Sequence, residues 1–117
     1  MRHGKATKRL GRNDDHRRSM LRNLTTALLL HGSIETTVTR AKEVSRVASR
    51  MITRAKRGDL HSRRQVASYL LSDDVVKKLF DVIAPSLAGR NGGYTRIVRT
   101  RVRKGDAAPL AQIELLH

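Results

Sequence analysis

Residues 39–58 have the sequence TRAKEVSRVASRMITRAKRG, and this stretch decides the fold. Its apolar residues recur at helical spacing and share one face of a helix: Ala41, Val44, Val47, Ala48, Met51, Ile52 and Ala55. Four arginines form a stripe on a different face: Arg46, Arg50, Arg54 and Arg57. Thr39 is a suitable N-cap and Gly58 a suitable stop. The pattern predicts a helix that ends at Arg57, with one side for a hydrophobic core and another for positive charge.

A helix is also predicted upstream of this stretch, over residues 14–31. Asn13 is a candidate N-cap, and Asp14 and Asp15 place negative charge in the first turn, where it complements the helix dipole. Apolar residues follow at helical spacing: Met20, Leu24, Ala27 and Leu28. Gly32 stands where such a helix is expected to stop.

Two more helices are predicted downstream of Gly58. Asp59 is a candidate N-cap for a short helix that runs to Leu70 or Leu71. Residues 72–74 open the last helix, which is expected to end before Pro85, because proline disfavours a helical residue ahead of it.

Three short strands complete the predicted elements. Residues 34–38 alternate and are rich in β-branched side chains, which is typical of a strand. Residues 94–102 and 110–116 form two more strands, and the Gly-containing turn between them indicates a β-hairpin. In the last strand Ala111, Ile113 and Leu115 face the same way. The predicted fold class is α+β: a single domain with about four helices packed on a small mixed sheet that ends in a C-terminal β-hairpin.

The composition limits what kind of core and chemistry the chain can have. Its 117 residues suit one domain, and its three aromatic residues leave a core that must be aliphatic. These three are Tyr69, Phe80 and Tyr94, of which the first two are expected in the core. No cysteine is present, which excludes disulfides, thiolate zinc sites and cysteine nucleophiles.

Positive charge is the strongest functional signal in the sequence. The 25 Lys and Arg residues against 10 Asp and Glu give a net charge of +15. Three blocks hold this charge: residues 2–22 at +6, residues 40–64 at +7 and residues 90–104 at +6. Arginine supplies 18 of the 25 cations, and its planar fork suits phosphate. Three such blocks favour a nucleic-acid partner over a solvated surface.

Residues 1–12 differ in composition from the rest of the chain. They hold two glycines, five Lys or Arg and only two sizeable apolar residues, Met1 and Leu10. Such a segment cannot bury enough apolar surface to offset its ordering entropy. We therefore expect residues 1–12 to form a basic, nucleic-acid-binding arm that is ordered on a polyanion, followed by a single α+β domain over residues 13–117.

The sequence holds no convincing catalytic or metal-binding pattern. The five histidines are scattered without ligand spacing. Asp14, Asp15 and His16 superficially resemble a metal cluster, but a helix start explains both carboxylates. No Gly-rich phosphate loop and no apolar run long enough to span a bilayer is present. We expect no enzyme activity, no cofactor, no metal, no small-molecule substrate and no membrane association.

Tyr94 and the glycines before it have two interpretations. An exposed Tyr94 between the glycine pair and Arg96 would be able to stack on an unpaired base. Alternatively, Tyr94 begins a strand and packs on the sheet, and the two interpretations carry equal weight. Gly92 and Gly93 would permit close approach to an RNA backbone, or would merely form a turn.

Several motifs together resemble one known family. They are MRH at 1–3, LGRN at 10–13 with HR at 16–17, TT at 36–37 followed by AKE at 41–43, GGYTRI at 92–97, and GD at 105–106 with AP at 108–109 and IEL at 113–115. In this order and spacing, over essentially the whole chain, they resemble the bacterial large-subunit ribosomal protein seventeen family.

The resemblance implies a non-catalytic protein bound to large-subunit ribosomal RNA near the rim of the peptide exit tunnel. It implies neighbouring large-subunit ribosomal proteins as further partners, and a cytoplasmic location in the bacterial ribosome, with an organellar ribosome left open. Two rivals are a DNA-binding architectural protein, which the charge alone allows, and a small nuclease or RNA-modifying enzyme, for which the sequence offers no carboxylate cluster beyond the helix start.

The predicted RNA contacts come from the three basic blocks. They are Arg2, His3, Lys5, Lys8, Arg9, Arg12, His16, Arg17, Arg18, Arg22, Arg40, Lys42, Arg46, Arg50, Arg54, Arg57, Arg90, Tyr94, Arg96, Arg99, Arg101 and Arg103.

Overall fold

A computed structural model describes residues 14–116 of the chain, so the predicted arm and Asn13 lie outside the described residues. The elements in chain order are α1 (Asp14–His31), β1 (Ser33–Thr37), α2 (Val38–Arg57), α3 (Leu60–Tyr69), α4 (Asp73–Lys78), a π-helical turn (Leu79–Ile83), α5 (Ala84–Ser86), β2 (Thr95–Val102) and β3 (Pro109–Leu115). Since α4, the π-helical turn and α5 are continuous, they form one helix. The α+β class with four helices on a small sheet is confirmed.

α2 begins two residues earlier than predicted. The N-cap is Thr37, not Thr39, and its side-chain oxygen accepts a hydrogen bond from the backbone N–H of Arg40 at 3.4 Å. Both threonines can cap a helix, but Val38 buries its side chain when the helix starts at once after β1. The predicted stop is confirmed, since Gly58 has a left-handed φ of 72°.

The helix after residue 72 does not end before Pro85, so that prediction was wrong. The N–H of Ala84 bonds to the carbonyl of Leu79, five residues back, and the helix runs on to Ser86. Proline lacks an N–H and its ring clashes with the carbonyl four residues earlier in a regular α-helix. Pro85 stands at the start of α5, directly after the wider π-helical turn, where the regular α-helical hydrogen-bond pattern is already interrupted, so the helix continues past it. By contrast, the Asp59 cap is confirmed, with a 2.9 Å bond from the Ser62 N–H.

The sheet is antiparallel throughout in the described part of the chain, and the prediction of a mixed sheet was wrong. The strand order is β1-β3-β2, and β3 runs antiparallel to both neighbours. Strands β1 and β2 run in the same direction, but β3 separates them, so no parallel pair forms. The C-terminal β2–β3 hairpin is confirmed, and β2 carries a bulge between Arg99 and Arg101.

The core lies between α2 and one face of the sheet. Ile34, Ile113 and Ile97 stand side by side across the three strands and turn towards the helices. α2 packs against α1, α3, α5 and all three strands, and its predicted apolar face is buried. Tyr69 and Phe80 are partly buried against this aliphatic core, as expected. Because α2 is central, its core face fixes the direction in which its arginine face points.

Candidate nucleic-acid interface

The arginine stripe of α2 lines a groove of about 460 Å³. The opposite wall is the loop that leads into β2, and α3 contributes one side chain. The lining residues are Arg46, Ser49, Arg50, Thr53, Arg54, Arg57, Gln65, Asn91, Gly92, Gly93 and Tyr94. Two predicted basic blocks therefore meet here, because α2 and the Gly92–Gly93 loop come from different blocks of the sequence. Among residues 14–116, no acidic side chain lines the groove.

Lys56 holds the loop wall against α2. Its Nζ donates to the backbone carbonyl of Arg90 and, at 3.1 Å, to the hydroxyl of Tyr94. The same ammonium lies 5.0 Å from the centroid of the Tyr94 ring. At the other end of the loop, the hydroxyls of Ser45 and Thr95 are 2.7 Å apart. The groove is therefore built by contacts within the protein, before any ligand is bound.

Tyr94 is buried, with 5% of its surface exposed. Its backbone carbonyl accepts a hydrogen bond from Leu116 at 3.0 Å, and the hydrogen bond from Lys56 holds the pKa of its phenol below the usual value. Of the two interpretations of this residue, the structure favours packing, because Tyr94 is almost fully buried and the Lys56 ammonium lies over its ring. The structure places Tyr94 in the lining of the groove, and its burial favours a role in forming the groove over base stacking.

The two glycines of the loop are required by backbone conformation. Gly92 has φ 152° and Gly93 has φ 61°, values that other residues rarely adopt. A Cβ atom at either position would meet no protein atom within 4 Å. The turn explains both residues, and the space above them is open to a ligand.

The charges that line the groove are mostly uncompensated within the described residues. Arg46 is 3.5 Å from the carboxylate of Glu43, which is buried at 3% exposure. Within residues 14–116, no carboxylate forms an ion pair with Arg50, Arg54 or Arg57. Three guanidinium groups along one helix face therefore remain able to bind phosphate oxygens.

The predicted contacts on α1 divide into two kinds. Arg22 turns towards the protein: its Nε donates to the Tyr69 carbonyl at 2.7 Å and its guanidinium lies 5.8 Å from the Tyr69 ring centroid. This residue therefore ties α1 to the end of α3. Arg17 pairs with Asp14 at 3.6 Å. His16 and Arg18 lie at the exposed surface of α1. The predicted contacts Arg2, His3, Lys5, Lys8, Arg9 and Arg12 lie outside the described residues.

The arginines of the β2–β3 hairpin are largely paired with carboxylates. Arg96 binds Glu114 at 2.6 Å, and Arg101 binds Glu35 at 3.0 Å. Arg103 makes two hydrogen bonds to Asp106, at 2.6 and 3.1 Å, and these lower the pKa of the Asp106 carboxyl to about 2. Sequence blocks alone predicted a cationic surface here, but pairing makes the outer face of the sheet nearly neutral.

The remaining predicted contacts are placed around the groove and the sheet. Arg99 and Arg90 are exposed and form no ion pair within residues 14–116. Lys42 is exposed and Arg40 half-buried, both in the first turns of α2. Sequence reasoning missed Lys56, Gln65 and Asn91. For Asn91, its position directly before the glycine pair was the one sequence feature that could have indicated a place in the groove.

No group of three or more His, Asp or Glu side chains in the described part of the chain is placed to hold a metal ion. Likewise, none of the helices in residues 14–116 combines the length and apolarity needed to cross a membrane.

The fold and groove define a small, strongly basic α+β protein with a preformed cationic groove. Comparison with known proteins narrows this class. The family model described as Ribosomal protein L17 matches residues 20–116. The chain belongs to the ribosomal protein L17 family.

Individual relatives agree with this assignment over nearly their full length. The large ribosomal subunit protein bL17 of Moorella thermoacetica is 60% identical over 95% of this chain and 99% of its own length. The proteins of the same name from Syntrophomonas wolfei and Clostridioides difficile are 59% and 61% identical, over 94% and 93% of this chain and 97% and 96% of their own lengths.

Proposed function

We propose that this chain is a structural, non-enzymatic component of the large ribosomal subunit that binds large-subunit ribosomal RNA. The observation that carries the proposal is the α2 groove, in which guanidinium groups from one helix face converge with no acidic residue among them. Family membership supports the ribosome as the site of action. We place the protein near the rim of the exit tunnel, beside other large-subunit proteins, in the bacterial cytoplasm.

The α2 stripe suits a nucleic-acid backbone in its spacing as well as its charge. Residues four apart on a helix rise by about 6 Å, so successive arginines are spaced for successive phosphates of one strand. Each phosphate that is neutralised releases condensed counterions, which makes binding tight and salt-sensitive. The protein thereby lets RNA segments that repel each other pack together, which is a scaffolding role.

The other predicted contacts contribute unequally to this proposal. The groove and the arm over residues 1–12 are the proposed RNA contacts, joined by Arg18, Arg90 and Arg99 at the surface. Arg96, Arg101 and Arg103 are paired with carboxylates, so contact with phosphate would require them to exchange partners. We therefore assign the outer face of the sheet a minor part in RNA binding.

The test compares the double variant Arg50→Ala, Arg54→Ala with the control Arg103→Ala. We expect the double variant to weaken binding to large-subunit ribosomal RNA fragments and to lower the slope of log affinity against log salt by about two. The control variant loses Arg103, which is already paired with Asp106, so the slope of log affinity against log salt should change little in this variant.

Two further experiments test whether the partner is the large ribosomal subunit. The full chain should co-sediment stoichiometrically with the large subunit in moderate salt, and its absence from that peak would overturn the proposal. A clear preference for duplex DNA over ribosomal RNA fragments at matched salt would instead support a DNA-binding architectural protein.

A further inference from the structure

We propose that the α2 groove captures a single unstacked nucleotide of the RNA, with its phosphates on the arginine stripe and its base in the space between α2 and the Gly92–Gly93 loop. This inference rests on the proposed RNA-binding function and specifies the RNA element that the groove takes. It requires a nucleotide that bulges out of a helix or lies in a loop, rather than a regular duplex backbone.

The size of the groove suits one nucleotide. At about 460 Å³ it falls in the lower part of the range of about 300–1,000 Å³ that small-molecule sites occupy. A duplex would touch only the arginines at the rim and would leave the space beside the loop unfilled. A flat cationic surface would serve a duplex equally well, so the concave wall calls for a separate explanation.

The lining of the groove supplies groups for a base as well as for phosphate. Asn91 from the loop and Gln65 from α3 bring amide side chains into a groove otherwise lined by guanidinium and hydroxyl groups. Amides carry both donors and acceptors and can pair with the edge of an unpaired base. Neither amide forms a side-chain hydrogen bond to another described residue, so both remain available.

The loop wall is held in place before the RNA arrives. Lys56 binds the Arg90 carbonyl and the Tyr94 hydroxyl, and the Thr95 hydroxyl bonds to Ser45. A preformed site loses less entropy on binding than one that must order its loop. The open space above Gly92 and Gly93 allows the ribose and base to approach the loop backbone closely.

The experiment uses the full chain and two synthetic RNAs. One is a fully paired short RNA duplex, and the other is the same duplex with one bulged 2-aminopurine nucleotide. We expect the bulged RNA to bind more tightly at the same salt, and the 2-aminopurine fluorescence to change on binding because its stacking environment changes.

The variant Gln65→Ala, Asn91→Ala tests the base contacts. It should lower affinity for the bulged RNA by roughly ten-fold, as expected for two lost hydrogen bonds, and bring the affinity ratio of the two RNAs close to one. The matched control Arg99→Ala removes a cation outside the groove and should weaken both RNAs alike, leaving the ratio unchanged. Circular dichroism establishes that each variant is folded.

Two results would overturn the inference: equal affinity of the unaltered protein for the two RNAs, or a variant that keeps the full preference for the bulge. Either result leaves the proposed function standing, provided that binding is salt-sensitive. Failure of the protein to bind either RNA would count against the proposed function as well.

Discussion

Replacing Lys56 by methionine should release the loop that forms one wall of the groove from its contacts with α2 and destabilise the fold. Methionine keeps most of the aliphatic stem but removes the ammonium that binds the Arg90 carbonyl and the Tyr94 hydroxyl and lies over the Tyr94 ring. Because Lys56 is partly exposed, its two hydrogen bonds contribute about 0.75 kcal/mol each, within the usual net range, and the cation–π contact adds about 0.5 kcal/mol. We expect a loss of about 2 kcal/mol in the free energy of unfolding.

Urea unfolding followed by circular dichroism measures this loss. A decrease of about 2 kcal/mol corresponds to a melting temperature lowered by about 8 °C for a domain of this size. The matched control is Lys77→Met, which removes an exposed lysine from α4 and should change stability by less than about 0.5 kcal/mol.

A second readout follows the Tyr94 phenol itself. The hydrogen bond from Lys56 stabilises the phenolate, so the pKa of Tyr94 lies below its usual value. In Lys56→Met the pKa of Tyr94 should rise, and ultraviolet titration at alkaline pH detects the change. If both the urea midpoint and the phenol titration match those of the unaltered protein, Lys56 does not hold the loop and our account of the groove is wrong.

Three further predictions concern the core, the hairpin and the loop. Ile52→Ala, on the fully buried face of α2, should lower the free energy of unfolding by about 3 kcal/mol, measured with urea. The pKa of the Asp106 carboxyl, measured by NMR, should be about 2, and it should rise in Arg103→Ala. Because the pKa is depressed in the folded protein, the stabilising contribution of Asp106 is present above about pH 4 and is lost as the pH falls towards 2. Gly93→Ala should cost about 1 kcal/mol by thermal unfolding, since φ is 61° there, and an unchanged melting temperature would contradict this.

The parts of the fold that depend on local periodicity were predictable. The apolar face and the arginine stripe of α2 repeat at helical spacing, so the helix and its two surfaces follow from residues 39–58 alone. The start of α2 was less determined, because Thr37 and Thr39 are both competent caps. The choice between them depends on where β1 stops pairing with β3.

Contacts between residues far apart in the chain could not be predicted from the sequence. Glu35 binds Arg101, which lies 66 positions further on, and Lys56 reaches the carbonyl of Arg90, 34 positions away. Blocks of charge counted along the chain cannot reveal such pairing, so the hairpin was expected to be more cationic than it is. Burial of Tyr94 also depends on the loop folding back on α2, which no local pattern encodes.

The two edge strands of the sheet, β1 and β2, affect how readily the protein aggregates before it binds RNA. An unpaired edge strand invites another copy to add a strand, which is a route to aggregation. Here β1 is only five residues long, while β2 is broken by its bulge and lined with Arg96, Arg99 and Arg101. Charge repulsion and irregular geometry at β2 disfavour strand addition between copies. Arg99, which is exposed and forms no ion pair within residues 14–116, therefore disfavours self-association of the free protein as well as being a proposed RNA contact.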